Sequence, residues 1–458
     1  MESTAGSARP NPVDISRVRR AGAIGNFIEY FDNALYGIFA VTIAKLFFPS
    51  FDPVVALLST FALFGVSFVV RPVGAIVFGH IGDRWGRKTV LISSILLMSI
   101  ATTLVGLLPT YSTVGVLAPV LLLVCRLCQG FSTGGESTTA LVLVAEHSPV
   151  PDRGRNVAPL ISATILASVI ASLTAMIVSL AIPASALSGG FWRVPFLLAV
   201  PLGIVGLVLR LRVDDAEVYK SAAEVSAVIG KQDSERRAPL VQAFRTAKKS
   251  MVILFLWVAL QATAGYITVS YMATHLMHFD GHSMVSTYGI IVVALGIATV
   301  AMPVLGRLTR RMSRKTFAMA MCAGLVVFSY PAFVLLGKGA VVAVAGLAVF
   351  AILQFGTMIS SGLAVVELFP VDVRATAAAL PYALGFAAFG GTAPFVSTWL
   401  AAEFSPTAPA FYVIGLAVIG FFVGWLGLPD AREMAVLADG RTDLRVGQVP
   451  GEDRRTPA

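Results

Sequence analysis

Charged residues are scarce in this chain. Asp, Glu, Lys and Arg make up 13% of its 458 residues, about half the share of an ordinary soluble protein. With a mean hydropathy of +0.83, that excludes a water-soluble or disordered chain. It leaves a polytopic membrane protein whose exterior is set by lipid. Cysteine is scarce too, at three residues. Cys125 and Cys128 form a C-x-x-C inside an apolar run with no second pair, so they read as small core residues and no metal is expected. No G-x-x-x-x-G-K-[ST] loop is present, which argues against a built-in ATPase. No H-E-x-x-H or G-x-S-x-G is present, so hydrolysis has no support. The chain is therefore not expected to be an enzyme or to hold a cofactor, and neither tail is large enough for a receptor's signalling domain. The net charge of +9 is no nucleic-acid signal, because the basic residues sit in turns between apolar runs.

What the chain has in abundance is apolar runs of about 20 residues. They predict an all-α membrane protein with twelve transmembrane helices near 22–48, 54–79, 89–108, 115–146, 157–182, 191–210, 250–278, 284–306, 315–336, 340–368, 375–401 and 408–428. The one long polar break in the middle divides six spans from six. The expected organisation is a tail at 1–20, a six-helix half at 21–211, a linker at 212–249, a second half at 250–428 and a disordered tail at 429–458. No cleavable signal is read before the first span. Counting Lys and Arg by loop puts 29 of 34 on one side, with Lys45 and Lys338 the clear cases on the other. The positive-inside rule makes the crowded side cytoplasmic and places both termini there.

The stretch from Arg71 to Lys88 organises the rest. An apolar run ends in it and another begins at Val90, with Asp83, Arg84, Arg87 and Lys88 between. Gly79, Gly82 and Gly86 are read as letting the backbone turn sharply there. The stretch Gly79 to Lys88 resembles the loop 2–3 signature of the major facilitator superfamily, G-x-x-x-D-R-x-G-R-K/R, at every position. The resemblance implies two six-helix pseudo-symmetric halves and a latch between them on the cytoplasmic side.

The halves read as a repeat. Glu146 to Arg153 ends the fourth span and Glu367 to Arg374 ends the tenth, each placing an acid seven residues before an Arg with Pro between. Gly306 to Lys315 is a degraded copy of the Gly79–Lys88 loop, with Arg310 in the place of Asp83 and Ser313 in that of Gly86. A latch built on a loop carboxylate is expected to be weaker in the second half. Glu146 and Glu367 are expected to pair with Arg153, Arg374 or loop arginines rather than touch a solute.

A charge at the bilayer centre costs roughly 2.5–3.5 kcal/mol even on a lenient insertion scale. Glu29, Asp32, Arg126 and Glu136 are read as lying well inside spans. On a helix, Asn26, Glu29, Tyr30, Asp32, Asn33 and Tyr36 share one broad face. Arg126, Gln129, Thr133, Glu136 and Ser137 share another. Both faces must turn from lipid toward a cavity or each other. Three carboxylates facing one guanidinium cannot all stay ionised cheaply, so one is expected to load and unload a proton. The same residues also suit a static buried pair holding two helices together. The second half has no charge deep in a span. Its polar residues include Gln261, Tyr266, Tyr271, Gln354 and Tyr382, while His275 reads as a surface residue near the outer end. Pro381 and the Gly390–Pro394 run are positions where the eleventh span could bend.

Six matches narrow the resemblance. Gly25-Asn…Glu29-Tyr-Phe-Asp32, Arg71-Pro-x-Gly74, Arg126-x-x-Gln-Gly-x-x-x-Gly-Gly-Glu136, Phe191-Trp-Arg-x-Pro-Phe196, Glu367-Leu-Phe-Pro-x-x-x-Arg374 and Phe389-Gly-Gly-Thr-Ala-Pro394 resemble the metabolite:proton symporter branch. Asp32-Asn33 departs from it, since the branch usually shows Asp followed by Phe. The resemblance implies proton-coupled import of a small carboxylate-bearing metabolite by alternating access. Arg126 would take the solute carboxylate, with Asn26, Tyr30, Asn33, Gln129, Gln261, Tyr266 and Tyr382 beside it. Glu29, Asp32 or Glu136 would carry the proton, and Asp83, Arg84, Arg87, Glu146, Arg153, Glu367 and Arg374 would gate. Import of a zwitterionic osmolyte such as proline or betaine is the nearest alternative. Some osmosensing members end in a coiled coil, which Ala431–Ala458 does not resemble. Proton-driven efflux of a small molecule is another. The expected partners are a small organic acid or zwitterion, the proton and the lipid bilayer, with no nucleic acid, in a monomer of the plasma membrane.

Overall fold

The computed structural model describes residues 15–49, 52–85, 87–133, 144–145, 148–181, 190–212, 247–369 and 374–428. Most of the 212–249 linker and the whole 429–458 tail lie outside the described residues, as do Glu136 and Glu146. So do the side chains of Asp83, Arg87 and Arg374.

Lipid leaves only one arrangement for apolar segments of this length. Each must satisfy its own backbone groups, and the α-helix does so within the segment. The described residues form twelve helical columns. α1 is two helices, Ile15–Ile38 and Ala40–Phe47. α2 is Pro53–Trp85, α3 Arg87–Leu107, α4 Leu117–Thr133 and α5 Arg153–Ala181. α6 runs from a short turn at Phe191–Arg193 through Val194–Leu197 to Ala199–Arg212. α7 spans Lys248–Phe279, α8 is Met284–Leu308, α9 Arg314–Leu336 and α10 Ala340–Glu367. α11 combines Arg374–Gly385, Phe386–Gly390 and Ala393–Glu403, and α12 is Ala408–Gly427. Among the described residues nine helices are long and apolar enough to cross a membrane. α3 and α4 contribute shorter apolar stretches, Ile92–Leu107 and Leu117–Thr133. α1 carries Glu29 and Asp32. The outer faces hold exposed apolar side chains such as Val69, Ile76, Val300 and Val341, as acyl chains require.

The first six columns and the last six meet along a seam. α5 packs on α8 and α10, α1 on α7, and α2 on α11. Small residues let the backbones touch. A Cβ on Gly37 of α1 would stand 2.2 Å from the Cα of Ser270 on α7. One on Gly65 of α2 would meet the Gly391 carbonyl at 3.0 Å. One on Gly306 of α8 would stand 2.5 Å from the Ala158 Cβ of α5. Three π-helical segments lie in the second-half columns, Ile267–Tyr271 and His275–Phe279 in α7 and Phe386–Gly390 in α11. The first abuts α1 and the last abuts α2. Such segments cluster at functional sites because they loosen the backbone ladder locally.

Two expectations need correction. The backbone does not turn at Gly79 or Gly82. α2 continues as helix to Trp85 and α3 begins at Arg87, so Asp83 and Arg84 belong to a last helical turn, with Arg84 exposed. Gly79 and Gly82 suggest flexibility, but a glycine inside a helix costs only about 1 kcal/mol, which tertiary packing overrides. His275 is not a surface residue. It is fully buried, its ring 5.0 Å from that of Phe333 and 5.9 Å from that of Phe279. Asp280 folds back to stand 3.3 Å from its Nε2.

Candidate functional site

The polar faces of α1 and α4 meet inside the first half. The Asp32 carboxylate stands 3.7 Å from Arg126 Nη1. Gln129 Nε2 donates to Asp32 Oδ1 at 2.7 Å, and the Thr102 hydroxyl of α3 touches the same oxygen. Arg126 Nη1 donates to Gln129 Oε1 at 2.8 Å, and its guanidinium lies over the rings of Tyr36 at 4.3 Å and Phe64 at 5.0 Å. The spacing of Arg126 and Gln129 along one helix face makes their contact local. Arg126 is only 1% exposed, and every one of these neighbours belongs to the first half. Asn33 donates to its own helix, at the Glu29 carbonyl, 3.1 Å away. Asn26 is buried on the same helix.

A second ion pair lies beside this one. Glu29 Oε1 stands 3.7 Å from Nη1 of Arg71, on α2. Arg71 covers the Phe68 ring, with its central carbon 3.9 Å from the ring centre. The residue sits inside the apolar run read at 54–79, yet sequence reasoning gave it to the loop motif and not to the buried charges. The expectation that Glu29 faces Arg126 is thereby corrected, while Glu136 lies outside the described residues. Among the described residues each of Glu29 and Asp32 faces its own arginine.

Arg71 lies where the halves meet. Tyr266, from α7, packs edge-on against Phe68 with ring centres 5.0 Å apart and against Phe64 at 5.7 Å. Its hydroxyl is within electrostatic reach of Arg71, Glu29 and Arg126. Tyr30 of α1 lies within such reach of Tyr266, Tyr382 and Glu29. Tyr382 of α11 stacks on Phe386 at 4.8 Å and lies beside Gln261. Among the described residues Arg71 Nε, Arg126 Nε, Gln261 Oε1 and Gln354 Oε1 are buried without a hydrogen bond. Polar atoms buried this way are costly, roughly 1–3 kcal/mol each, and each calls for a partner.

A third cluster closes the seam at the end bearing the 80–88 and 307–315 loops. Glu367, ending α10, stands 3.4 Å from Arg153 and 3.3 Å from Arg314. Arg314 also donates to the Val150 carbonyl. Arg310 stands 3.4 Å from Asp152. Arg314 and Asp152 were not among the expected gating residues, although both lie in the repeated loops. At the opposite end Tyr288 of α8 donates to the Ile38 carbonyl at 3.4 Å, and Phe39 packs against Tyr288 and Phe196. The halves thus touch at both ends.

Comparison with known proteins gives these arrangements a context. The profile of the Major Facilitator Superfamily matches residues 22–389. The chain is 32% identical over 424 residues to the proline/betaine transporter of Escherichia coli (strain K12), covering 90% of this chain and 84% of that one. It is 33% identical over 428 residues to the glycine betaine/proline/ectoine/pipecolic acid transporter OusA of Dickeya dadantii (strain 3937), covering 90% and 83%. Among solved structures it superposes on a D-xylose-proton symporter with a TM-score of 0.69 at 16% identity, over 91% of this chain and 98% of the other.

Proposed function

The chain belongs to the major facilitator superfamily, and we propose that within it this protein is an importer that brings a small carboxylate-bearing solute and a proton together across the plasma membrane. The observation that carries this reading is the pair of ion pairs, Glu29–Arg71 and Asp32–Arg126, buried at the heart of the bundle. Intramembrane ionisable groups are costly and are kept where ions or charged solutes pass. A guanidinium is the natural receptor for a carboxylate, and a carboxylate that loses its arginine is a natural proton carrier.

The cycle is alternating access. Solute and proton enter from the end bearing Phe39 and Tyr288, and leave at the end closed by Glu367, Arg153 and Arg314. The positive-inside count makes that second end cytoplasmic, with both termini on the same side. Asp83, Arg84, Arg87, Glu146 and Arg374 belong to that end by sequence and complete the gate. Glu136 joins the proton-carrying candidates. One chain encloses all these groups, so a monomer suffices.

A second reading narrows the solute to a zwitterion. The rings of Phe64, Phe68, Tyr266, Tyr382 and Phe386 suit a cationic nitrogen, and the relatives' names point the same way. The test is uptake of labelled shikimate, citrate, α-ketoglutarate, proline and betaine into cells expressing the chain at pH 5.5 and 7.5. Accumulation of an acid or a zwitterion that is larger at the lower pH and collapses with an uncoupler supports the reading. Loss of a preloaded solute driven by the proton gradient instead turns it into efflux.

A further inference from the structure

We infer that Arg71 is the seat of the solute carboxylate and that Glu29 holds its guanidinium until the solute displaces it, then takes up the coupling proton. This rests on the symport reading above and assigns its working parts.

The choice between the two arginines follows from their surroundings. The contacts of Arg126 with Asp32, Gln129, Ser67, Tyr36 and Phe64 all lie within one half. Tyr266 of the other half comes within electrostatic reach of it, but its hydrogen bonds and ring contacts are made inside the first half. Arg71 lies on the seam, with Phe68 under its guanidinium and Tyr266 of the other half within reach. Separation of the halves exposes it without unpacking either. Its Nε and Gln261 Oε1 lack hydrogen bonds among the described residues, and the Tyr266 hydroxyl is turned toward Arg71 itself. They come from α2 and α7, so a small solute between the halves can engage all three.

Glu29 Oε1 and Arg71 Nη1 stand 3.7 Å apart, so a solute carboxylate that makes the roughly 2.7–2.9 Å of a charge-assisted hydrogen bond can compete for the guanidinium. A solute carboxylate approaching the planar fork edge-on makes two such bonds. Asp32 is held differently, by Gln129, Thr102 and Arg126, which all serve its ionised form.

Charge then dictates the stoichiometry. Arg71 with Glu29 is neutral. Adding a monocarboxylate would leave a buried net charge of minus one, which is unfavourable; a zwitterion brings its own cation, and there the proton answers to the displaced Glu29 carboxylate, left without its arginine. One proton from the solute's side, bonding to the freed Glu29 carboxylate, restores neutrality. Closure over the occupied, neutral site is favourable, and closure over the solute alone is not. On the far side the proton leaves Glu29, the carboxylate returns to Arg71, and the solute departs.

The test uses the full-length chain in proteoliposomes with the five labelled solutes named above and an imposed inward proton gradient. Arg71→Lys keeps the charge but removes the fork, and is expected to raise KM about tenfold with Vmax within about twofold. The wild-type site is expected to prefer each transported acid over its methyl ester, and Arg71→Gln to lose that preference. Glu29→Gln mimics the protonated carboxyl, so solute counterflow persists while uphill accumulation is lost and exchange no longer depends on pH. An unchanged KM and ester discrimination in the Arg71 variants overturns the proposal, as does uphill accumulation by Glu29→Gln. Loss of counterflow in Glu29→Gln with a betaine substrate also overturns it, since Glu29 then binds the solute's cation. If Arg71→Gln fails to reach the membrane, Arg71→Lys and Glu29→Gln decide. A wild-type chain that takes up none of the five under a gradient removes the symport reading itself, a result distinct from all of these.

Discussion

Arg310 and Asp152 stand 3.4 Å apart across the seam between the two halves. Arg310 occupies the place in the second loop copy that Asp83 holds in the first. The second copy has lost its acid, and the first half returns one from the loop before α5. The ion pair at this position joins a base of the second half to an acid of the first. Arg310 is half exposed and Asp152, which Arg155 also approaches at 3.9 Å, is partly so, so the pair is worth about 0.2–1 kcal/mol. Asp152→Arg is expected to lower uptake by less than about fivefold, the rate equivalent of that energy. The exchanged pair Asp152→Arg with Arg310→Asp is expected to recover most of it. Uptake rates of the single and double variants check this, with coupling between the two positions as the deciding quantity.

Glu367 is a different case because it is buried, 3% exposed at its side chain, between two arginines. Removing its charge strands Arg153 and Arg314 together, which costs about 3–5 kcal/mol in a buried pair. The cost falls on the conformation closed at this end. A small cavity beside Glu367 is lined by Thr309, Arg314, Phe317 and Ser360. Glu367→Gln is expected to speed alkylation of a cysteine placed at Ser360 by a membrane-permeant maleimide at least tenfold, with the three native cysteines replaced by serine. Equal alkylation rates in the two backgrounds would show that Glu367 does not hold the end shut.

Most of the fold was legible because lipid makes hydropathy and backbone satisfaction agree along each span. The polar face of α1 was legible for the same reason, since Glu29 and Asp32 stand out in an apolar helix. Arg71 was not read correctly. It sits in a motif whose other charges belong to a loop, and its partner, Glu29, lies forty-two residues away on another helix. Nothing local announces such a pair. The π segments at Ile267–Tyr271 and Phe386–Gly390 were equally invisible. They depend on how α7 and α11 meet α1 and α2 across the seam, and a 3.6-residue period cannot foresee them. His275 was misplaced because position along a span says nothing about what folds back over its end.

That end carries a pH dependence. Asp280, in the loop between α7 and α8, has its carboxyl pKa pushed from the ordinary 3.8 up to about 6 by burial, with His282 opposing. The native state therefore binds its proton more tightly than the unfolded chain. Stability from this group is fully present below the ordinary carboxylate value and is lost as pH rises through about 6. Facing it are His275, with Nε2 3.3 Å away, Tyr271 of the same column, and Gly337. Asp280→Asn is expected to flatten the fall of Tm between pH 4 and 6.5 and to leave the variant at least as stable as wild type at pH 7. A wild-type Tm that rises over that interval, with the slope abolished in the variant, would reverse the sign and place the charged carboxylate in a stabilising role.

Asp32 and Arg126 decide whether the inner pair is scaffold or machinery. Both are nearly inaccessible, and Gln129, Thr102, Tyr36 and Phe64 surround them. Arg126→Ala alone leaves a buried carboxylate without its cation and is expected to destabilise the protein by about 3–5 kcal/mol, seen as a large loss of Tm and of membrane yield. Asp32→Asn with Arg126→Met removes both charges and keeps the volume, and is expected to restore Tm to within a few degrees of wild type. Stability and transport then part company. If the pair only fastens α1 to α4, the double variant accumulates solute uphill as the wild type does. If Arg126 sets the field in which the neighbouring Glu29–Arg71 pair exchanges its partner, the double variant folds but its uptake loses its steep dependence on external pH. The second outcome is expected, because Arg126 lies within electrostatic reach of Arg71, and two unit charges in a medium of low polarisability cannot be removed without shifting the protonation of the carboxylate beside them.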